Sequence, residues 1–235
     1  MAKNDNLADY LADIADAIRA KKGTEEPINA QDFATEIASI EGGGKTQVVP
    51  YLRRVGEGYL DTGVSGANSN LKITVRYSFN VFATGYWSLI HAYVNESTNA
   101  TRILVNKGTT VLGNVNSLAS GSVTQSVKMY KDCIYTTRVY LNGSSVTLYH
   151  NGVTNVKTRT TGTTLADETL LLFKTGEDGV DINIYSLQIE DGGVLVRNYM
   201  PYYQDGEFGL FDLVEGKFYG NLGDGAFTGD LLTIE

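Results

Sequence analysis

The sequence predicts a mainly β protein, a two-sheet antiparallel sandwich preceded by a small N-terminal α-helical hairpin. Three observations lead there. Residues 71–81 alternate strictly, with Leu71, Ile73, Val75, Tyr77, Phe79 and Val81 on one parity and Lys72, Thr74, Arg76, Ser78 and Asn80 on the other; this marks a half-buried antiparallel strand. Asn142-Gly143 and Asn151-Gly152 stand beside strand-like runs, and Asn-Gly is the strongest short hairpin signal. The chain after the Gly42-Gly43-Gly44 run has the spacing of about a dozen short strands, and the whole sequence holds only 3 prolines.

The elements follow in order. Leu7, Leu11, Ile14 and Ile18 form a narrow apolar seam on one helix face, with Asp9, Asp13 and Asp16 mainly off it and Gly23 as a C-terminal stop. A second helix is expected from Asn29, with Asp32 in its first turn and Phe33, Ile37 and Ile40 inward. Two such helices bury little between themselves. Their spacing also suits a multi-chain bundle, so residues 1–41 are expected to be an oligomerisation or attachment module. Residues 42–46 form a glycine-rich linker, and 47–235 the β domain.

Within that domain Trp87 to Val94 is apolar on both parities, as a central strand would be. The Asn-Gly pairs join IYTTRVYL, SVTLYH and VTNVKT into a meander. In DINIYSLQIED the apolar parity switches from Ile182 and Ile184 to Tyr185, Leu187 and Ile189, which predicts a bulge. Gly192-Gly193 and Glu215-Gly216 are expected turns.

Composition excludes several classes. The net charge of −8 argues against nucleic acid, which needs a basic footprint. No apolar run approaches the roughly 20 residues that span a bilayer, and the N-terminal MAKNDNLADY has no signal-peptide pattern. The single Cys133 cannot form an intramolecular disulfide; it is expected to be a small buried hydrophobe. His91 is expected in the core and His150 at a strand end in water, and neither lies in a catalytic motif.

A glycosidase needs two acids about 5–9 Å apart on a sugar-binding face. The nearest approaches are Glu177, Asp178 and Asp181, then Glu190 and Asp191; their glycine neighbours make them solvated loop acids. Gly-Asp pairs at Gly223-Asp224 and Gly229-Asp230 could offer oxygen to calcium, but fit no calcium loop, so no cofactor is expected. The chain carries 15 tyrosines, 8 phenylalanines and one tryptophan. Tyr199, Tyr202 and Tyr203 around Pro201 are candidates for an exposed ligand-binding loop.

Two segments resemble known families. LADIADAIRAKKGTEEPINAQDFATEIASI resembles the helical module of tail-associated proteins in phages and prophages of Gram-positive hosts, through Ile14, Ala15, Ala17, Ile18, Arg19, Lys21, Gly23, Thr24, Ile28, Asp32, Phe33, Ala34 and Ile37. YLRRVGEGYLDTG at Tyr51–Gly63 is similar to the opening of the concanavalin-type, laminin-G-like jelly roll that often accompanies that module. Its ending is matched by Leu195, Val196, Arg197 and Pro201, then Gly209, Leu210, Asp212, Leu213, Val214, Gly216, Lys217, Phe218, Tyr219, Asn221, Gly223, Gly225 and Phe227. Asn198 replaces the usual acid and Phe211 the usual tyrosine.

The resemblance implies a virion tail or fibre protein, often oligomeric, with no catalytic residues to carry over and with other tail or baseplate proteins as partners. The seam of Leu7, Leu11, Ile14 and Ile18 is expected to close a homotrimer. Its jelly roll is expected to present a receptor-binding surface to a host glycan. A bacterial carbohydrate-binding adhesin module is the alternative, and a polysaccharide-degrading enzyme the third reading.

Overall fold

The computed structural model describes residues 7–22, 24–33, 36, 46–67, 70–82, 85–95, 99–117, 123–142, 144–158, 168–174 and 181–231. The chain divides into two compact units, Met1–Thr46 with Gln204–Gly206, and Gln47–Tyr203 with Glu207–Glu235.

In the first unit, α1 spans Leu7–Lys22. Ala15 and Ile18 are buried, and Leu11 and Ile14 half-buried; the Leu7 side chain and Gly23 lie outside the described residues. The Thr24 N–H reaches back to the Arg19 carbonyl, a bond that closes a helix C-terminus. Asn29 is extended and is followed by a 3₁₀ turn, Ala30–Asp32, with Phe33 and Glu36 helical beyond it. Ile37 and Ile40 fall outside the described residues.

The second unit holds seventeen strands among the described residues. They are β1 (Gln47–Val48), β2 (Leu52–Val55), β3 (Leu60–Ser65), β4 (Leu71–Val81), β5 (Tyr86–Asn95) and β6 (Asn99–Asn106). Next come β7 (Thr110–Ser117), β8 (Val123–Ser126), β9 (Tyr135–Asn142), β10 (Ser145–His150), β11 (Val153–Thr158) and β12 (Thr169–Leu172). The chain ends with β13 (Asp181–Asp191), β14 (Val194–Gln204), β15 (Glu207–Asp212), β16 (Lys217–Tyr219) and β17 (Ala226–Thr228). One sheet runs β11-β10-β9-β4-β13-β14-β15-β16, with β2 beside β13, β17 beside β2 and β1 beside β14. The other runs β3-β12-β5-β6-β7-β8. The result is an antiparallel jelly-roll sandwich.

Local chemistry explains the layout. β9, β10 and β11 form the expected meander, and the β10–β11 turn puts Asn151 and Gly152 at φ 48 and 97. Both central residues of such a turn need φ > 0, which Asn and Gly tolerate. The expected bulge falls at Tyr185, where the β13–β4 register slips between Ile184 and Ser186. Before the slip β13 pairs with β2, and after it with β14, so one extra residue lets a single strand serve two neighbours.

β5 lies between β12 and β6, and Trp87, Leu89 and Ile90 are buried. Trp87 belongs to an aromatic column running Tyr77, Phe79, Trp87, Phe173 and Phe227, with successive ring centroids 5.6, 6.2, 5.9 and 6.0 Å apart. Such pairs add about 0.5–1.5 kcal/mol each beyond their burial.

Candidate functional site

NYMPYYQ is strand rather than loop. Pro201, which marked the segment as a loop in sequence, falls where no ladder donor is needed. Pairing with β13 ends at Tyr199, pairing with β1 starts at Tyr202, and the Pro201 carbonyl accepts the Val49 N–H. Tyr199 is 1% exposed, donates its hydroxyl to the Thr62 carbonyl at 3.0 Å, and stands edge-on to Tyr219 at 5.3 Å. It is a core residue, and burial pushes its phenol well above the ordinary range. Tyr202 and Tyr203 are half-buried and packed on Phe211 and Phe208, with centroids 5.0 and 4.8 Å apart.

The motif residues at the two ends of the domain meet in a closure. Arg197 donates to the Thr62 carbonyl at 3.1 Å, pairs with Glu215 at 2.6 Å and lies 3.6 Å from the fully buried Asp212. Asp212 Oδ1 accepts the N–H groups of Asn198 and Val214. Asn221 accepts the Tyr59 and Gly223 N–H groups and donates to the Gly223 and Gly225 carbonyls. A Cβ at Gly223 would stand 2.1 Å from the Glu57 carbonyl oxygen, so only glycine fits that approach. These side chains are committed to backbone.

Of the candidate acids, Asp181 and Glu190 lie in strand β13 rather than in a solvated loop, and both are engaged. Arg53 binds Asp181 through both carboxylate oxygens, at 2.8 and 2.5 Å. Burial alone would raise the Asp181 carboxyl, but hydrogen bonds from Arg53 and Asn80 hold it below its usual range. Glu190 pairs with Lys72 at 2.6 Å. Glu177 and Asp178 lie outside the described residues. Among the described residues no three ligating His, Cys, Asp or Glu side chains converge on a metal position. Asp224 instead joins Glu57, Tyr59 and Lys174 around a cavity of about 350 Å³, where the Lys174 ammonium sits 4.5 Å over the Tyr59 ring.

Two further sequence expectations are corrected. His150 is not in water: it is 3% exposed, bonded through Nδ1 to Thr137 Oγ1 at 2.8 Å and stacked on Tyr135. It occupies the inward parity of β10, with Val146 and Leu148. Cys133 is exposed, because residues 131–134 turn outside the sandwich before Tyr135 starts β9. His91 is buried as expected. Burial lowers both imidazoles to about 4, with the Arg102 and Lys174 charges adding to the effect at His91.

The accessible chemistry lies on the outward face of the larger sheet. Register places Thr154, Tyr149, Arg138, Thr74, Gln188 and Asn198 side by side on β11, β10, β9, β4, β13 and β14. At about 4.8 Å per strand this row extends roughly 24 Å. Its members interlock. The Arg138 guanidinium lies 5.6 Å over the Tyr149 ring and donates to Thr74 Oγ1 at 3.1 Å, and Gln188 donates to Asn198 at 3.2 Å.

Beside this row run Thr147, Tyr140 and the Lys72–Glu190 pair. On its other side Arg76 lies 5.7 Å over Tyr185, whose ring meets Tyr51 edge-on at 6.4 Å. Arg76 and Gln188 are exposed; Arg138, Tyr140 and Tyr149 are half-buried. Aromatic faces beside hydrogen-bonding side chains, on a rigid sheet, form a surface suited to a polar ring-bearing ligand.

No protein-family model and no curated protein matches this chain. Solved structures similar to it include botulinum neurotoxin type C, which interacts with two ganglioside molecules (14% identity, 52% of this chain and 32% of that chain, TM-score 0.41). Also similar are the Ruminococcus gnavus IT-sialidase CBM40 bound to α2,3 sialyllactose (12%, 60% and 90%, 0.40) and the enzymatically active domain of bacteriophage CBA120 tailspike protein 2 (10%, 60% and 28%, 0.44). The match thus spans about a third of the length of that neurotoxin chain.

Proposed function

We propose that this chain is a non-catalytic tail or fibre structural protein of a phage or prophage whose jelly roll binds a host-surface glycan. The observation that carries the binding role is the interlocked outward row centred on Arg138 and Tyr149. Sugars have apolar ring faces and hydroxyl edges, and this row pairs tyrosine faces with Thr, Gln, Asn and Arg side chains. The non-catalytic reading is supported by the engagement of Asp181 with Arg53 and of Glu190 with Lys72. The tail setting rests on the sequence resemblance. The same reading makes the α1 seam of Leu7, Leu11, Ile14 and Ile18 the contact of a homotrimer.

The test is a glycan array and host-cell adhesion assay on the intact protein and on Tyr140→Ala and Tyr149→Ala. Binding should fall in both variants while melting temperatures stay within a few degrees. Undiminished binding by both variants would refute the assignment of this face. Release of reducing ends from the bound glycan would refute the non-catalytic role.

A further inference from the structure

The outward face differs in charge from the molecule that carries it. The protein is net −8. On this face Lys72 is matched by Glu190 and Arg53 by Asp181. That leaves Arg76 and Arg138, neither of which has a carboxylate within ion-pair distance among the described residues. The two stand on adjacent strands. Arg76 is opposite Thr136 and Arg138 opposite Thr74, which makes them diagonal neighbours with Cα atoms roughly 7–8 Å apart.

Each guanidinium is steered by a different ring, Arg76 by Tyr185 and Arg138 by Tyr149. A cation held over a ring face still has N–H groups to donate elsewhere. Arg138 spends Nε on Thr74 and keeps its terminal NH₂ groups. Two unmatched cations on adjacent strands make this part of the face locally positive, and an anion that reaches both is held by both. A guanidinium fork matches carboxylate and phosphate oxygens.

We infer that Arg76 and Arg138 form an anion subsite, and that the glycan bound on this face is acidic, bearing a carboxylate or phosphate. The inference rests on the glycan-binding reading above and narrows it to a chemical class. The neutral residues Thr74, Gln188, Asn198 and Tyr140 then line the path of the rest of the sugar chain.

The experiment is calorimetry on the full chain with three probes of matched length: an oligogalacturonate, an oligo(glycerol phosphate) and a neutral oligogalactan. At least one acidic probe should bind about tenfold or more tightly than the neutral one. Its affinity should drop about tenfold in Arg76→Gln and in Arg138→Gln, the loss of one charge-assisted bond. It should also weaken as salt rises. Arg138→Lys, which keeps the charge but loses the fork, should fall between wild type and Arg138→Gln. Circular dichroism melts of the variants should match wild type.

Preference for the uronate identifies a sugar-acid polymer, and preference for the phosphate a teichoic-type polymer; either supports the subsite. Equal or tighter binding of the neutral probe, unaffected by both glutamine variants, overturns the inference and leaves glycan binding standing. Failure of all three probes, together with an empty glycan array, overturns both.

Discussion

Replacing Arg197 with methionine tests whether the two motif blocks hold the sandwich shut. Methionine keeps much of the aliphatic bulk and deletes the charge. The variant loses the bonds to the Thr62 and Val196 carbonyls, at 3.1 and 2.8 Å, and the pair with Glu215. It also strands Asp212, which is fully buried and keeps only the two backbone donors on Oδ1. Removing one partner of a buried ion pair costs about 3–5 kcal/mol, because the remaining charge is left uncompensated. At about 2–4 °C per kcal/mol for a domain of this size, the melting temperature should fall by roughly 6–20 °C. Differential scanning calorimetry reads this directly. Arg197→Met with Asp212→Asn should recover part of the loss, since the stranded charge is gone. A single variant melting within 2 °C of wild type, or a double variant no better than the single, would refute the reasoning.

Other outcomes follow from the same geometry. Asn221→Ala removes the acceptor for Tyr59 N–H and the donor to two carbonyls, and should destabilise the β unit by about 2–4 kcal/mol in urea titration. His91 and His150 are held near 4 in the fold against 6.5 unfolded. The unfolded chain therefore binds more protons between those values, and stability should fall by about 1–2 kcal/mol per histidine from pH 7 to 5, less steeply in His150→Gln. Light scattering should report a trimer for the full chain and a monomer for a chain starting at Lys45; a monomeric full chain at micromolar concentration contradicts the seam. Wild type and Asp181→Asn should both leave host glycan chemically intact in a reducing-end assay, while the substitution loosens the Arg53 contact.

How much could be read in advance depended on whether the signal was local. Alternation over 71–81 and the two Asn-Gly turns are properties of neighbouring residues, so β4 and the β9–β11 meander were legible. So was the bulge, because one extra residue in β13 shows as a parity switch at Tyr185. Pro201 misled, since a proline reads as loop unless the strand pairings on either side are known to stop short of it. His150 misled because its place beside a turn suggested water, whereas its parity with Val146 and Leu148 points it inward.

The candidate face was not assembled because Thr74, Arg138 and Gln188 are neighbours only through non-local register. One signal was present. Tyr140 and Tyr149 are aromatic residues on the polar parity of their strands, where a purely solvated face has no need of them.

That division of labour explains why a resemblance in sequence names a fold without naming a ligand. Thr62, Arg197, Asp212, Asn221 and Gly223 are fixed by backbone groups they must satisfy or approach, and each has little chemical latitude. Arg76, Arg138, Tyr140, Tyr149 and Gln188 project from the opposite side of the larger sheet, where packing demands only that a strand residue be tolerated. The buried parity underneath, Ile73, Val75, Val139, Leu141, Val146 and Leu148, supplies the rigidity that keeps those outward side chains in register. Outward residues can therefore change on one parity while the other keeps the sandwich unaltered, and a ligand would be sought among the residues that the sequence resemblance leaves free.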